Sequence, residues 1–522
     1  MTGFDLYTLG FSLLNPTVIL TMLGGTVVGI VIGALPGLSA TMAVSILLPI
    51  TYGMEPAAGI MMLLGVYCGG NYGGSIAATL VNIPGTPSAV MTTLDAYPMA
   101  KKGKAGLAIG LATMASAIGG LFSVIILAAM SPVIASIALK FGSLEMLAVC
   151  VFGISIMAFI SQGSTLKGLM AGVVGLLIAC MGFDPVTSIP RFTFDSIYLF
   201  SGVDFTAAMI GLFGFTEVLT FAEGGFKANA NEQIAKVKNA AECFRHLPKQ
   251  VGNLLRSSAV GTIVGAVPGA GGTIASIVSY AVEQKVSKHP EEMGSGSVDG
   301  IVAAEAANNA CTGGAMTTML SLGIPGDAVT AILIGAFIVH GVTPGPTMFT
   351  KNRDLVSAIF IGMFIINLLI LVVGMFGAPH FAKLLKAPKS LLNAGVLLLC
   401  VVGTFGVANS MFHVCVMIAF GLLGIVCSKL GLPRAPIVLA LILGPTMEKN
   451  LRRCISISGG DFIGYFLAQS AKNPIALIIF ALTAFTLIAP MFSKKLKLSE
   501  DSVYQFSKKD QDAPEKEEEE QK

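Results

Sequence analysis

The 522-residue chain contains no tryptophan, and only 12% of its residues are charged. A soluble domain carries nearer 25%. So little charge excludes a soluble enzyme, a disordered chain and a nucleic-acid binder. Nine cysteines occur without a CxxC pair, which removes a zinc or thiol-redox motif. Five histidines occur outside any HExxH spacing, and no GxxxxGK[ST] loop is present. With neither paired catalytic carboxylates nor a Ser/Lys dyad in a recognisable setting, no enzyme is expected. No Lys or Arg precedes Lys101. A cleavable signal peptide therefore lacks its basic start, and the first apolar stretch is expected to remain as a membrane element.

What the chain does have is 54% hydrophobic residues and 61 glycines. At about 20 apolar residues per crossing, it could span a bilayer roughly ten to twelve times. The expected fold is an all-α polytopic membrane protein. Charge marks its organisation. A transmembrane half at 1–221 is followed by a polar linker at 222–256. A second transmembrane half follows at 257–493. The linker's basic surplus, and Lys101, Lys102 and Lys104, place those loops in the cytoplasm. Residues 494–522 hold 7 Lys and 9 acidic residues, a tail expected to be disordered and cytoplasmic.

The most informative feature is self-similarity. Val31-Ile-Gly-Ala-Leu-Pro-Gly-Leu-Ser-Ala-Thr-Met-Ala43 aligns without a gap on Ile263-Val-Gly-Ala-Val-Pro-Gly-Ala-Gly-Gly-Thr-Ile-Ala275. Tyr72-Gly-Gly-Ser through Pro84-Gly85-Thr86 aligns, with one insertion, on Thr312-Gly-Gly-Ala through Pro325-Gly326-Asp327. Two repeat cores follow, 17–135 and 256–380. Because the first starts outside and the second starts at a cytoplasmic linker, they are expected to be inverted.

A Pro-Gly pair inside an apolar segment breaks a helix. In lipid the freed backbone groups need partners inside protein or in a polar cavity. Paired broken helices are the best sequence pointer to a transporter's central site. The candidate substrate residues are therefore Pro36, Gly37, Ser39, Thr41, Asn71, Gly85, Thr86, Gly269, Gly271, Gly272, Thr273 and Gly326. Thr86 is expected to cap a helix that opens at Pro87. Exposed N–H groups at such helix starts suit carboxylates. Asn308, Asn309, Thr312 and Asp327 are polar within apolar stretches, and could hold Na⁺ or, at Asp327, a proton. Glu305 is expected at the cytoplasmic entrance. The competing structural reading is that the small residues serve only close helix packing.

These blocks resemble the large, TctA-type membrane subunit of the tripartite tricarboxylate transporters. The resemblance rests on Gly33-Ala-Leu-Pro-Gly-Leu-Ser-Ala-Thr41, Asn71-Tyr-Gly-Gly-Ser75, Asn82-Ile-Pro-Gly-Thr-Pro87, Gly265-Ala-Val-Pro-Gly-Ala-Gly-Gly-Thr273 and Gly323-Ile-Pro-Gly-Asp327. It runs over about residues 10–495. It implies a bacterial inner-membrane secondary carrier that imports citrate or related di- and tricarboxylates with Na⁺ or H⁺ and needs no other cofactor. The implied partners are a small four-helix membrane subunit and a periplasmic solute-binding protein. The alternative is an ATP-driven permease subunit with a separate ATPase docked on the linker.

Overall fold

The computed structural model describes residues 15–35, 38–160, 165–184, 187–223, 240–384 and 389–492. Pro36, Gly37, part of the linker and the charged tail lie outside them. Almost everything described is helical.

The first repeat comprises α1 (Pro16–Ala34), α2 (Ala40–Leu47), α3 (Pro56–Val81), α4 (Val90–Met99) and α5 (Ala105–Ala138). After α6 (Ser143–Ile160) and α7 (Thr165–Ala179) comes a hairpin of β1 (Gly182–Phe183) and β2 (Pro190–Arg191). α8 (Phe205–Met209) then runs through a π-turn into α9 (Thr216–Glu223). The second repeat comprises α10 (Val251–Ala266), α11 (Gly271–Val286), α12 (Val298–Leu322), α13 (Ala328–Val339) and α14 (Arg353–Leu384). The chain closes with α15 (Lys389–Ala408), α16 (Met411–Leu430), α17 (Ala435–Ser458), α18 (Phe462–Lys472) and α19 (Ile475–Phe492).

Helix starts and stops follow from local chemistry. Asn15 caps α1 through the Val18 N–H, with Pro16 at the first helical position. α3 ends on Asn82 and α12 on Gly323, both left-handed, and each leads into Pro-Gly.

The repeats superpose contact by contact. A methyl group on Gly29 would overlap the Val66 carbonyl, and one on Gly261 the Ala307 carbonyl. Gly33 stands likewise on Gly70, and Gly265 on Cys311; Gly85 stands on Gly33, and Gly326 on Gly265. These pairs correct the sequence alignment: the second block needs no insertion. Asn71 then matches Thr312, Tyr67 matches Asn308, and Thr86 still matches Asp327. The twin glycines sequence reasoning aligned at 73 and 313 are in fact one position apart, because backbone contact sets the register and a Gly-Gly pair does not.

Glycines at 25, 29 and 33 give α1 a stripe without side chains, and α3 answers with Gly65, Gly69 and Gly73. Such small-residue stripes let helix backbones touch. The long helices cross over: α5 packs on α12, and α14 on α3. Each repeat's last helix thus covers the other repeat's central helix.

Among the described residues, four helical runs are long and apolar enough to cross a membrane: Pro16–Ala34, Pro87–Ala138, Arg353–Gly377 and Met411–Leu430. The pair α18–α19, bent by 110°, makes a fifth if it is one span. This is fewer than the ten to twelve expected. Breaks shorten several apolar helices, and α3 and α12 carry polar residues because they face protein rather than lipid.

Outside the apolar spans, the hairpin is tied to the polar second half of α17. Arg191 bonds both oxygens of Glu448 at 2.8 and 3.1 Å, and Arg452 reaches Asp184 at 2.6 Å. The Arg191 hydrogen bond, ahead of the nearby positive charges, holds the Glu448 carboxyl below its ordinary range. The stabilisation is therefore present at neutral pH and fades as acid protonates Glu448.

Gly33→Val and Gly265→Val should each destabilise the protein by about 1–3 kcal/mol through overpacking. Thermal melts in detergent test this against Gly24→Ala, where a methyl meets nothing within 4 Å. The stability gap between wild type and Glu448→Gln should narrow in melts as pH falls below about 4; a gap independent of pH would contradict the ion-pair account.

Candidate functional site

In the second repeat the two breaks lie against one another, and in the first the described Pro84-Gly85 break lies against the end of α1. Gly269 N–H bonds the Gly326 carbonyl at 2.8 Å, and Gly85 abuts Gly33 and Gly74. Across the repeats, two equivalent junctions form. In one, α11 packs on the turn Pro87–Ala89; in the other, α13 packs on α2. All described breaks therefore meet in one region.

The junctions share a plan but not their side chains. At the α2–α13 junction, Tyr67 reaches from α3 and donates to Asp327 Oδ2 at 2.5 Å. Asp327 Oδ1 accepts from the Thr330 N–H and Oγ1, both at 2.7 Å, closing a capping box on α13. Both carboxylate oxygens are thus engaged, Oδ1 in the helix cap and Oδ2 by the Tyr67 hydroxyl. Ser39 belongs to this junction and caps α2 through the Met42 N–H at 3.1 Å. Thr41 lies in the first turn of α2.

At the α11 junction, Asn308 stands where Tyr67 stands in the other. Its Nδ2 donates to the Asn71 carbonyl at 3.3 Å. Its Oδ1 is buried without a hydrogen-bond partner among the described residues. That oxygen lies 2.7 Å from where a Cβ on Gly272 would sit, with the Ser88 Cβ 3.1 Å from the same point. Gly272 is therefore what lets the Asn308 amide approach the start of α11. Gly271 adopts φ +64°, which glycine takes without strain. Ala270 at the cap makes no side-chain bond, so the first N–H groups of α11 are uncapped by side chains. Thr273, in this first turn, is half-buried.

The structure thus brings together Asn71, Thr86, Gly269, Gly271, Gly272, Asn308, Gly326 and, beside Gly271, Asp327. Thr86 occupies the predicted cap position, but its hydroxyl bonds Ser88 Oγ at 3.0 Å and no backbone N–H. The helix opens instead as a tight turn at Pro87–Ala89. Asn309 and Thr312 point elsewhere. Asn309 Nδ2 donates to the Glu305 carbonyl at 3.3 Å, and Thr312 Oγ1 to the Asn309 carbonyl at 2.7 Å beside Cys68. Glu305 is not at an entrance. It is fully buried between α4, α5 and α12.

Sequence reasoning missed Tyr67 and Ser88. The repeat in its corrected register would have found Tyr67 opposite Asn308, and Ser88 follows Thr86 by two residues. What the open junction offers is a helix start with uncapped N–H groups, two hydroxyls and an amide oxygen. None of these is a fixed cation. The N–H groups and hydroxyls suit a carboxylate held by dipoles and hydrogen bonds, whereas the amide oxygen accepts and suits a hydroxyl or a cation.

The model of the tripartite tricarboxylate transporter TctA family matches residues 19–439. The chain belongs to that family. The match covers both repeats and both junctions, and a TctA protein of this kind is a multi-pass membrane transport subunit rather than an enzyme. An uncharacterized 52.8 kDa protein in the TAR-I ttuC' 3' region of Agrobacterium vitis is 36% identical over 481 residues, 91% of this chain and 93% of that protein. An uncharacterized protein in the TAR-II ttuC' 3' region of the same organism is 36% identical over 222 residues, 42% of this chain and 90% of that protein. No solved structure matches.

A methyl at position 272 would displace the Asn308 amide. Gly272→Ala should therefore lower substrate uptake at least tenfold while membrane levels and melting temperature stay near wild type. Uptake at the wild-type rate, normalised to protein in the membrane, would remove Gly272 from the site.

Proposed function

We propose that the chain is the large transmembrane subunit of a binding-protein-dependent secondary transporter in the bacterial inner membrane. It imports citrate or a related di- or tricarboxylate, driven by a Na⁺ or H⁺ gradient. It works with a small four-helix membrane subunit and a periplasmic solute-binding protein. The family supports the tripartite reading. The observation that carries the site is the α11 junction, where a helix start without a side-chain cap supplies N–H donors for a carboxylate and Asn308 Oδ1, without a hydrogen-bond partner among the described residues, supplies an acceptor for a substrate hydroxyl or a coupled cation.

The substrate's carboxylates bind at the start of α11, with Ser88 and Thr86 hydroxyls alongside. Asn71, Thr273, Gly269 and Gly326 shape the surrounding backbone. Pro36 and Gly37 belong to the remaining break. Ser39 and Thr41 contribute from the α2 side. Asn308, Asn309, Thr312 and Asp327 are the proposed ion-coupling residues. The two halves form inverted repeats about a cytoplasmic linker. The unit of broken helices moves against the more uniform helices in an elevator-like alternating access.

Labelled citrate uptake tests this in cells without carriers of their own, with the small subunit present. Uptake should require the binding protein and an ion gradient, persist when ATP is depleted at a clamped gradient, and fall on Thr273→Val. Uptake that follows ATP rather than the gradient would overturn the secondary-carrier reading, and unchanged uptake in Thr273→Val would remove that residue from the site.

A further inference from the structure

We propose that Glu305 is the proton carrier of the transport cycle, a step that rests on the transport reading above.

Glu305 lies on α12 one turn before Asn308, and its side chain is fully buried. Its Oε1 accepts the Thr92 hydroxyl from α4. Its Oε2 accepts the Ser116 hydroxyl from α5 at 2.9 Å and lies 3.5 Å from Asn309 Nδ2. Among the described residues no cationic side chain forms an ion pair with it. The chargeable groups on the elements packed around it are engaged elsewhere. On α3, Tyr67 bonds Asp327, Cys68 bonds Thr312, and Tyr72 bonds Thr113. On α4, Asp95 takes Tyr280 of α11 and the N–H groups of Gly294, Gly296 and Ser297, while Tyr97 stacks under Lys101. Arg256 of α10 pairs with Glu283 of α11. Asp299 of α12 takes Gln250 and Ser287. Cys311 of α12 is buried one turn and a half beyond Glu305, and Lys285 and Lys351 are exposed at helix ends.

An ionised carboxylate buried in a membrane protein with no counter-charge is costly, and the common resolution is to neutralise it. The surroundings suit a proton. Thr92 and Ser116 are hydroxyls, which donate to a carboxylate and turn to accept from a carboxylic acid. Both hydroxyls hydrogen-bond the carboxylate directly. Asp327, the other buried acid near the site, has one oxygen in a helix cap and the other bonded by Tyr67. Glu305 does not cap a helix.

The position also links proton to substrate. Thr92 lies one turn beyond Ser88 along the same helical run, and Glu305 lies one turn before Asn308. The run from Pro87 into α4 and the helix α12, both of which contribute side chains to the substrate junction, therefore also hold the acid. Protonation of Glu305 by water on one side of the membrane, and release to water on the other, would accompany each passage.

The test uses the full chain with its small subunit and binding protein in proteoliposomes. Labelled citrate is the probe. Accumulation driven by an imposed pH gradient should fall at least tenfold in Glu305→Gln, while exchange against internal unlabelled citrate stays near wild type. Glu305→Asp should recover part of the accumulation. Infrared spectra of the purified wild type in lipid should show a protonated-carboxyl band that disappears on alkalinisation and is missing from Glu305→Gln. That band does not depend on transport, so a wild type that moves no citrate tells against the substrate reading while the band alone decides for Glu305. PH-driven accumulation intact in Glu305→Gln, exchange lost together with accumulation, or an unchanged infrared band in the variant would each overturn the proposal.

Discussion

The structure depends on one constraint: in a bilayer every backbone N–H and carbonyl needs a partner within the protein. A Pro-Gly break releases several such groups at once. The chain meets the demand by setting breaks against each other. The Gly269 N–H closes on the Gly326 carbonyl, and the glycines beside the breaks let main chains approach where any side chain would intervene. Polar side chains of α3 and α12 then face the breaks rather than lipid, which is why these two long helices are buried and polar.

Duplication gives the site its asymmetry. Both junctions inherit the same backbone, a helix start facing a central helix and the start of the next. Tyr67 and Asp327 fill one with a short hydrogen bond and a capping box. Asn308 and Gly272 leave the other with an amide oxygen unmatched and a helix start that no side chain caps. One junction is thus built for stability, and the other has groups left to meet a ligand.

The class of fold, the repeat and the break positions were legible in the sequence, because Pro-Gly pairs and glycine spacing act locally. The same logic singled out Asn71 and Gly272 as substrate residues and Asn308 as an ion ligand, and the three lie beside one another. The register of the second block was not legible, since adjacent glycines look alike in a sequence and differ only in which carbonyl they touch. Nor was the fate of the acids. Asp327 stood out because it departs from Thr86, yet that departure makes a cap. Glu305 read as an entrance residue from its distance along the chain, but α4 and α5 fold over it, and no one-dimensional pattern records which helices will do so.

The glycine contacts between α1 and α3, and between α10 and α12, have a mechanical consequence. Sliding either pair by one residue would replace a glycine with a bulky neighbour against a carbonyl. These pairs therefore have no neighbouring register to slip into, and each behaves as a single stiff strut. Any movement the protein makes has to be taken up where the struts meet other helices and, among the described residues, in the turns that follow Asn82 and Gly323.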